Sequence, residues 1–129
     1  MKKLIAILVV VLILLGLTIW ENLTIKNYLT DIREQTYEII KLSEGTENIQ
    51  TEQIIQKVQK LEDAWKSYEP VLCVFSNHKD IRDLCIEIQR LRGNIEVNQY
   101  EDFTAGLKVI YHLTEDYNYV MGTSWQNIF

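Results

Sequence analysis

The stretch IIQKVQKLEDAWKSYEPVLCVF, residues 54–75, decides the fold. Within it Ile54, Val58, Leu61, Trp65, Tyr68, Leu72 and Phe75 recur at alternating steps of four and three. That spacing puts them on one face of an α-helix and on no single face of a strand. Pro70 removes one backbone donor and crowds the preceding turn, so the spacing predicts a kink between Lys66 and Pro70. Because the apolar seam keeps its phase across Pro70, a single bent helix is expected rather than two abutting ones.

The same periodicity continues outward in both directions. Upstream, Ile25, Leu29, Ile32 and Ile39 form one stripe with Thr36 filling the gap, and the polar break Ser43 to Asn48, containing Gly45, ends it. Downstream, Ile81, Leu84, Ile88, Leu91 and Ile95 form a third stripe. Asn77 suits its N-cap, Asp80 suits its first turn, and Gly93 and Asn94 are candidates to end it. A fourth segment carries Phe103, Leu107, Ile110, Tyr117 and Met121 on one face. Asn98, three residues before Glu101, resembles a capping box for it, and Gly106 would let another helix approach closely. No run alternates at period two for long enough to argue a sheet. Short helices with single apolar stripes are unstable alone and must bury those stripes against one another. The expected class is therefore all-α: an N-terminal transmembrane helix, residues 1–20, continuing into, or hinged to, a small antiparallel bundle of three to four helices in residues 21–129.

The membrane assignment rests on the first twenty residues, thirteen of which are Leu, Ile or Val. As a helix, the apolar run from residue 4 to residue 20 would reach about 26 Å, a short but feasible span of a hydrocarbon core about 30 Å thick. At a few tenths of a kcal/mol per residue, the thirteen favour insertion by roughly 5 kcal/mol. Lys2 and Lys3 precede the run and Glu21 follows it, so the positive-inside bias keeps the N-terminus in the cytosol and places the rest outside. Trp20 would then lie at the outer interface. A cleaved signal peptide fits less well: the run exceeds the usual apolar core of such a peptide, and no small-x-small site surrounds residues 18–21. With no Cys directly after the run, a lipoprotein anchor is also unsupported.

Charge and motif content narrow the function. Setting aside Lys2 and Lys3 leaves 11 basic against 18 acidic residues, a balance that repels phosphates and makes nucleic-acid binding improbable. The chain carries no Gly-rich phosphate loop, nucleophile elbow or metalloprotease spacing, so no enzyme and no cofactor is expected. The two cysteines, Cys73 and Cys85, flank the turn between the second and third helices. A disulfide there would close a loop of about 13 residues and contribute about 3 kcal/mol in the chain-entropy model. The thiols sit at unequal distances from that turn, which favours two separate, small, buried side chains, with the disulfide as the next alternative and metal or redox chemistry as the last. His78 and His112 are a weak candidate ligand site. His112, Glu115 and Asp116 share a helical face, but the matching carboxylates that a bundle metal site needs are missing from the other stripes. Trp65, Tyr68 and Tyr117 fall on the stripes and are expected in the core. Trp125, Ile128 and Phe129, apolar at a free terminus, are candidate partner contacts or dock onto the bundle itself.

In order and spacing, four short motifs resemble those of a bacterial membrane-anchored family of unknown function, DUF4363. They are the initial Met-Lys-Lys with the apolar run into Trp20-Glu21-Asn22, Leu61-Glu62-Asp63-Ala64-Trp65, His78-Lys79-Asp80-Ile81, and the closing Asn127-Ile128-Phe129. The segment from residue 116 to residue 126 departs from the more charged last helix usual there. The resemblance implies a small helical protein of the cell envelope in Firmicute-like bacteria, and supplies no activity and no catalytic residues. The expected function is thus a non-catalytic, membrane-anchored interaction or accessory protein. Its anchor would bind the lipid bilayer through residues 4–20, and its partner would be an unknown membrane or envelope protein. The alternative is an envelope binding protein for a small ligand or metal held in a groove between helices near His78 or His112. The sequence does not specify an oligomeric state.

Overall fold

The computed structural model describes the backbone of residues 1–76 and 78–128 and the side chains of residues 1–76 and 78–115. Four helices follow one another: α1 (Lys2–Ser43), α2 (Glu52–Phe75), α3 (His78–Glu96) and α4 (Tyr100–Ile128). No strand occurs among the described residues. The short connections force neighbouring helices antiparallel, and the packing runs in a ring: α1 on α2, α2 on α3, α3 on α4, α4 on α1. This is an up-down-up-down four-helix bundle.

The stripes read from the sequence are the core. Ile25, Leu29, Ile32, Thr36 and Ile39 of α1 are buried against Ile54, Val58, Leu61, Trp65 and Leu72 of α2 and against Ile81, Leu84, Ile88, Leu91 and Ile95 of α3. Phe103, Leu107, Ile110 and Thr114 complete it from α4. Each buried Leu or Ile contributes about 1.5–3 kcal/mol relative to exposure. Thr36 fits an apolar seam because its hydroxyl donates to the carbonyl of Ile32, 2.7 Å away, and so brings no unpaired polar group into the core. Gly106 is where α3 comes close: a Cβ there would stand 3.4 Å from Leu91 Cδ2.

Four features settle or revise the sequence reading. First, of the continuous and hinged alternatives, α1 is the continuous one: the apolar run and the first bundle stripe form a single helix of 42 residues, about 63 Å long, whose fully buried positions begin at Ile25. Second, α3 is not ended by Gly93 and Asn94 but continues to Glu96. Third, Asn98 does not cap α4. It has φ 53°, and the N–H groups of Asn98 and Gln99 donate to the carbonyls of Ile95 and Asn94. That pair of bonds around a left-handed residue is a Schellman ending, so Asn98 closes α3 instead of opening α4. Fourth, Phe75 keeps the seam's phase yet is 42% exposed, at the last residue of α2. Pro70 lies inside a continuous α2, and Leu72 beyond it is still buried. The side chains of Tyr117 and Met121, and Asn77 altogether, lie outside the described residues.

The end of the bundle remote from the apolar half of α1 is tied by polar bonds between its two loops. Asn98 Oδ1 accepts from the N–H of Ile49 at 3.2 Å, and Gln50 Nε2 donates to the carbonyls of Ile95 and Glu96 at 3.1 and 3.2 Å. The Glu96 carbonyl, which accepts no backbone N–H at the end of α3, is thereby satisfied, and the Ile95 carbonyl gains a second donor beside the N–H of Asn98. Ile49, fully buried, plugs the core beneath them. Thr51 caps α2 by accepting from the N–H of Ile54. Gly45, with φ 78°, supplies the left-handed residue after α1 that lets the chain turn back.

Candidate functional site

Three surface features stand out on this scaffold. On the α1–α2 face, Tyr28 stacks on Tyr68 with ring centroids 4.1 Å apart and 10° between planes. The Tyr68 hydroxyl donates to Asp31 Oδ2 at 2.5 Å, and Gln35 Nε2 donates to the same oxygen at 3.0 Å. The bond to the Asp31 carboxylate and partial burial push the Tyr68 phenol up from its ordinary value near 10 to about 12. Trp65 Nε1 and Gln35 Oε1 are buried without a hydrogen-bond partner among the described residues.

The cluster predicts a pH effect. A phenol whose acid form is favoured by the fold adds stability that is complete below its unfolded pKa of about 10 and is lost as pH climbs through about 12. Tyr68→Phe should therefore cost about 1 kcal/mol at neutral pH, and the gap between the two melting temperatures should close as pH rises from 10 towards 12. A gap of equal size at about pH 8 and about pH 11.5 would show that the phenol proton plays no part.

On the α1–α4 face an open groove of about 280 Å³ is lined by Arg33, Glu34, Tyr37, Glu38 and Tyr111. Lys41 Nζ lies 4.7 Å from the centre of the Tyr37 ring, and the Tyr37 and Tyr111 rings are 6.2 Å apart. Glu38 accepts from Lys57 of α2 at 2.8 Å, which holds its carboxyl below the usual carboxylate range. On the α3–α4 face Ile86 and Val109 are exposed between Asp83, Glu87, Arg90 and Leu113. Both grooves are open to solvent, unlike the enclosed clefts that bury some 70–90% of a small ligand's surface. Mixed charge with exposed aromatic and apolar side chains suits a protein surface better.

The residues singled out from sequence are not brought together. His112 Nδ1 lies 3.9 Å from Glu115 Oε2, one turn along the same exposed face of α4, and His78 is exposed at the start of α3. Among the described residues no three metal-ligating side chains cluster. Cys73 and Cys85 are unbridged and half-buried against the core, with Gln89 Nε2 3.6 Å from Cys85 Sγ. The side chains of Trp125 and Ile128, and Phe129 altogether, lie outside the described residues. The groove residues Arg33, Glu34, Tyr37, Glu38 and Tyr111 were not singled out. Their one signal is that Tyr37 and Tyr111 fall off the apolar stripes, where large aromatic side chains have no core to fill.

Residues 19–128 match the family described as a domain of unknown function, DUF4363. No curated protein matches the chain, and no solved structure does. The match covers nearly the whole chain, so the protein belongs to the DUF4363 family.

Proposed function

We propose that this DUF4363 protein is a non-catalytic, membrane-anchored interaction or accessory protein of the bacterial cell envelope, with its N-terminus in the cytosol and residues 21–129 outside. One observation carries the reading. The apolar half of α1 is long enough to cross a bilayer, is buried nowhere in the chain, and runs without a break into the bundle core. Thirteen aliphatic side chains exposed on every side of a helix have no stable place in water. The charge bias from Lys2 and Lys3 to Glu21 supports the orientation. Tethering would raise the effective concentration of the bundle for a partner in the same membrane, and the open, mixed-charge faces on α1–α4 and α3–α4 are the surfaces suited to meet one.

The test uses intact protoplasts and the full chain. Externally added protease is expected to remove the bundle and leave a short membrane-embedded fragment, whereas full protection of the bundle would reverse the topology. In the same cells a photocrosslinking residue at Val109, which is 42% exposed, is expected to capture one membrane or envelope protein that a crosslinker at exposed Lys60 does not. Equal products from both positions, or none from either, would count against an interaction role.

A further inference from the structure

We propose that the α2–α3 turn makes a second contact with the membrane, Val74 and Phe75 inserting at the outer-leaflet interface beside α1 so that the bundle stands upright on the lipid. The proposal rests on the anchor reading above and deepens it.

The register between α1 and α2 fixes the height of this turn. Tyr28 faces Tyr68, and Glu38 faces Lys57. In antiparallel helices each step forward on one matches a step back on the other. Phe75 lies seven residues beyond Tyr68, and Glu21 lies seven residues before Tyr28. Phe75 is therefore level with Glu21 and Val74 with Asn22, within a turn of Trp20. Those are the positions at which α1 changes from exposed apolar on all sides to half-buried. The headgroup layer adds about 5–8 Å to each side of the hydrocarbon core, or about three to five residues of helix. With the apolar run ending at Trp20, residues level with positions 21–22 fall inside that layer.

The side chains found there are the ones such a layer accepts. Val74 is 72% exposed and Phe75 42%, both at the end of a helix whose preceding seam residue, Leu72, is fully buried. Trp20 and Leu23 are exposed at the same height on α1, and aromatic side chains concentrate at this depth in membrane proteins. Because α1 is helical from Lys2 to Ser43, no hinge separates anchor from bundle, and the turn is carried to the surface by the same rigid rod that crosses it.

A solvatochromic fluorescent amino acid incorporated at position 74, 97 or 12 of the full chain, leaving both native thiols intact, tests this in phosphatidylcholine–phosphatidylglycerol vesicles. Val97 is 65% exposed at the opposite end of the bundle, and Leu12 is at the middle of the apolar run. The expected result is a blue shift at position 74 with loss of most of its emission to headgroup-depth quenchers, no change at position 97, and quenching at position 12 only by acyl-chain quenchers. If position 74 behaves like position 97 while position 12 is deeply quenched, the second contact is overturned and the anchor stands. If position 12 is unquenched, the anchor and the second contact fall together.

Discussion

Phe103→Ala is expected to unfold the bundle at temperatures where the parent protein is fully folded. Phe103 is completely buried and begins the α4 stripe that closes the ring of helices against both α3 and α1. Truncating a buried Phe removes its transfer free energy and leaves a cavity, for a loss of about 3–5 kcal/mol. Domains of this size hold only about 5–15 kcal/mol in total, so one side chain accounts for about a fifth of the margin or more. At about 4 °C or more per kcal/mol, the melting temperature should fall by at least about 12 °C, as followed by far-UV circular dichroism. Phe103→Leu keeps the site apolar and fills most of it, so its loss should be less than half as large. Near-equal melting of all three proteins would mean that α4 is not part of the cooperative core. The substitution leaves the first twenty residues untouched, so the variant should still fractionate with membranes even when its bundle is unfolded.

What the sequence displays and what it hides divide along physical lines. The stripe from Ile54 to Leu72 was legible because a helix packed on one side must repeat its apolar residues every three or four positions, and no other structure tolerates that pattern. Ile49 was not legible, since a single apolar residue in a polar break has no period to betray it. Its burial depends on Asn98 and Gln50 holding two loops together across the end of the bundle. Asn98 is ambiguous in sequence because asparagine serves equally as an N-cap and as the left-handed residue after a helix, and Glu101 three positions later completes the pattern of a capping box. The Tyr28, Asp31 and Tyr68 cluster was hidden for a different reason. Its members are far apart in sequence and meet only once the register of α1 on α2 is set, which no local pattern encodes. The same register places Val74 and Phe75 within a turn of Trp20, a height that shows only in the assembled bundle.

The second large effect concerns the apolar run proposed as the anchor. Leu12→Arg combined with Ile13→Arg is expected to move the protein from the membrane fraction to the soluble fraction after alkaline extraction. Both side chains lie at the centre of the apolar run and are more than half exposed along α1, with no protein partner to shield a charge. Arginine at the middle of a spanning helix costs about 2.5–3.5 kcal/mol on an insertion scale, and each lost Leu or Ile removes a further few tenths. Two such changes cost about 6–8 kcal/mol, more than the roughly 5 kcal/mol that the thirteen aliphatic residues contribute. The sign of insertion should therefore reverse rather than weaken. Leu12→Ser with Ile13→Ser costs far less and should leave the protein in the membrane, which separates the expense of buried charge from a mere fall in hydropathy. The bundle begins its burial twelve residues later, at Ile25, so the released double-Arg protein should keep the helical signal and the melting temperature of its folded domain. Retention of the double-Arg protein in the membrane with an unchanged bundle would mean that residues 4–20 are not what holds the chain to the lipid, and the Val74 and Phe75 turn would then be the next surface to remove.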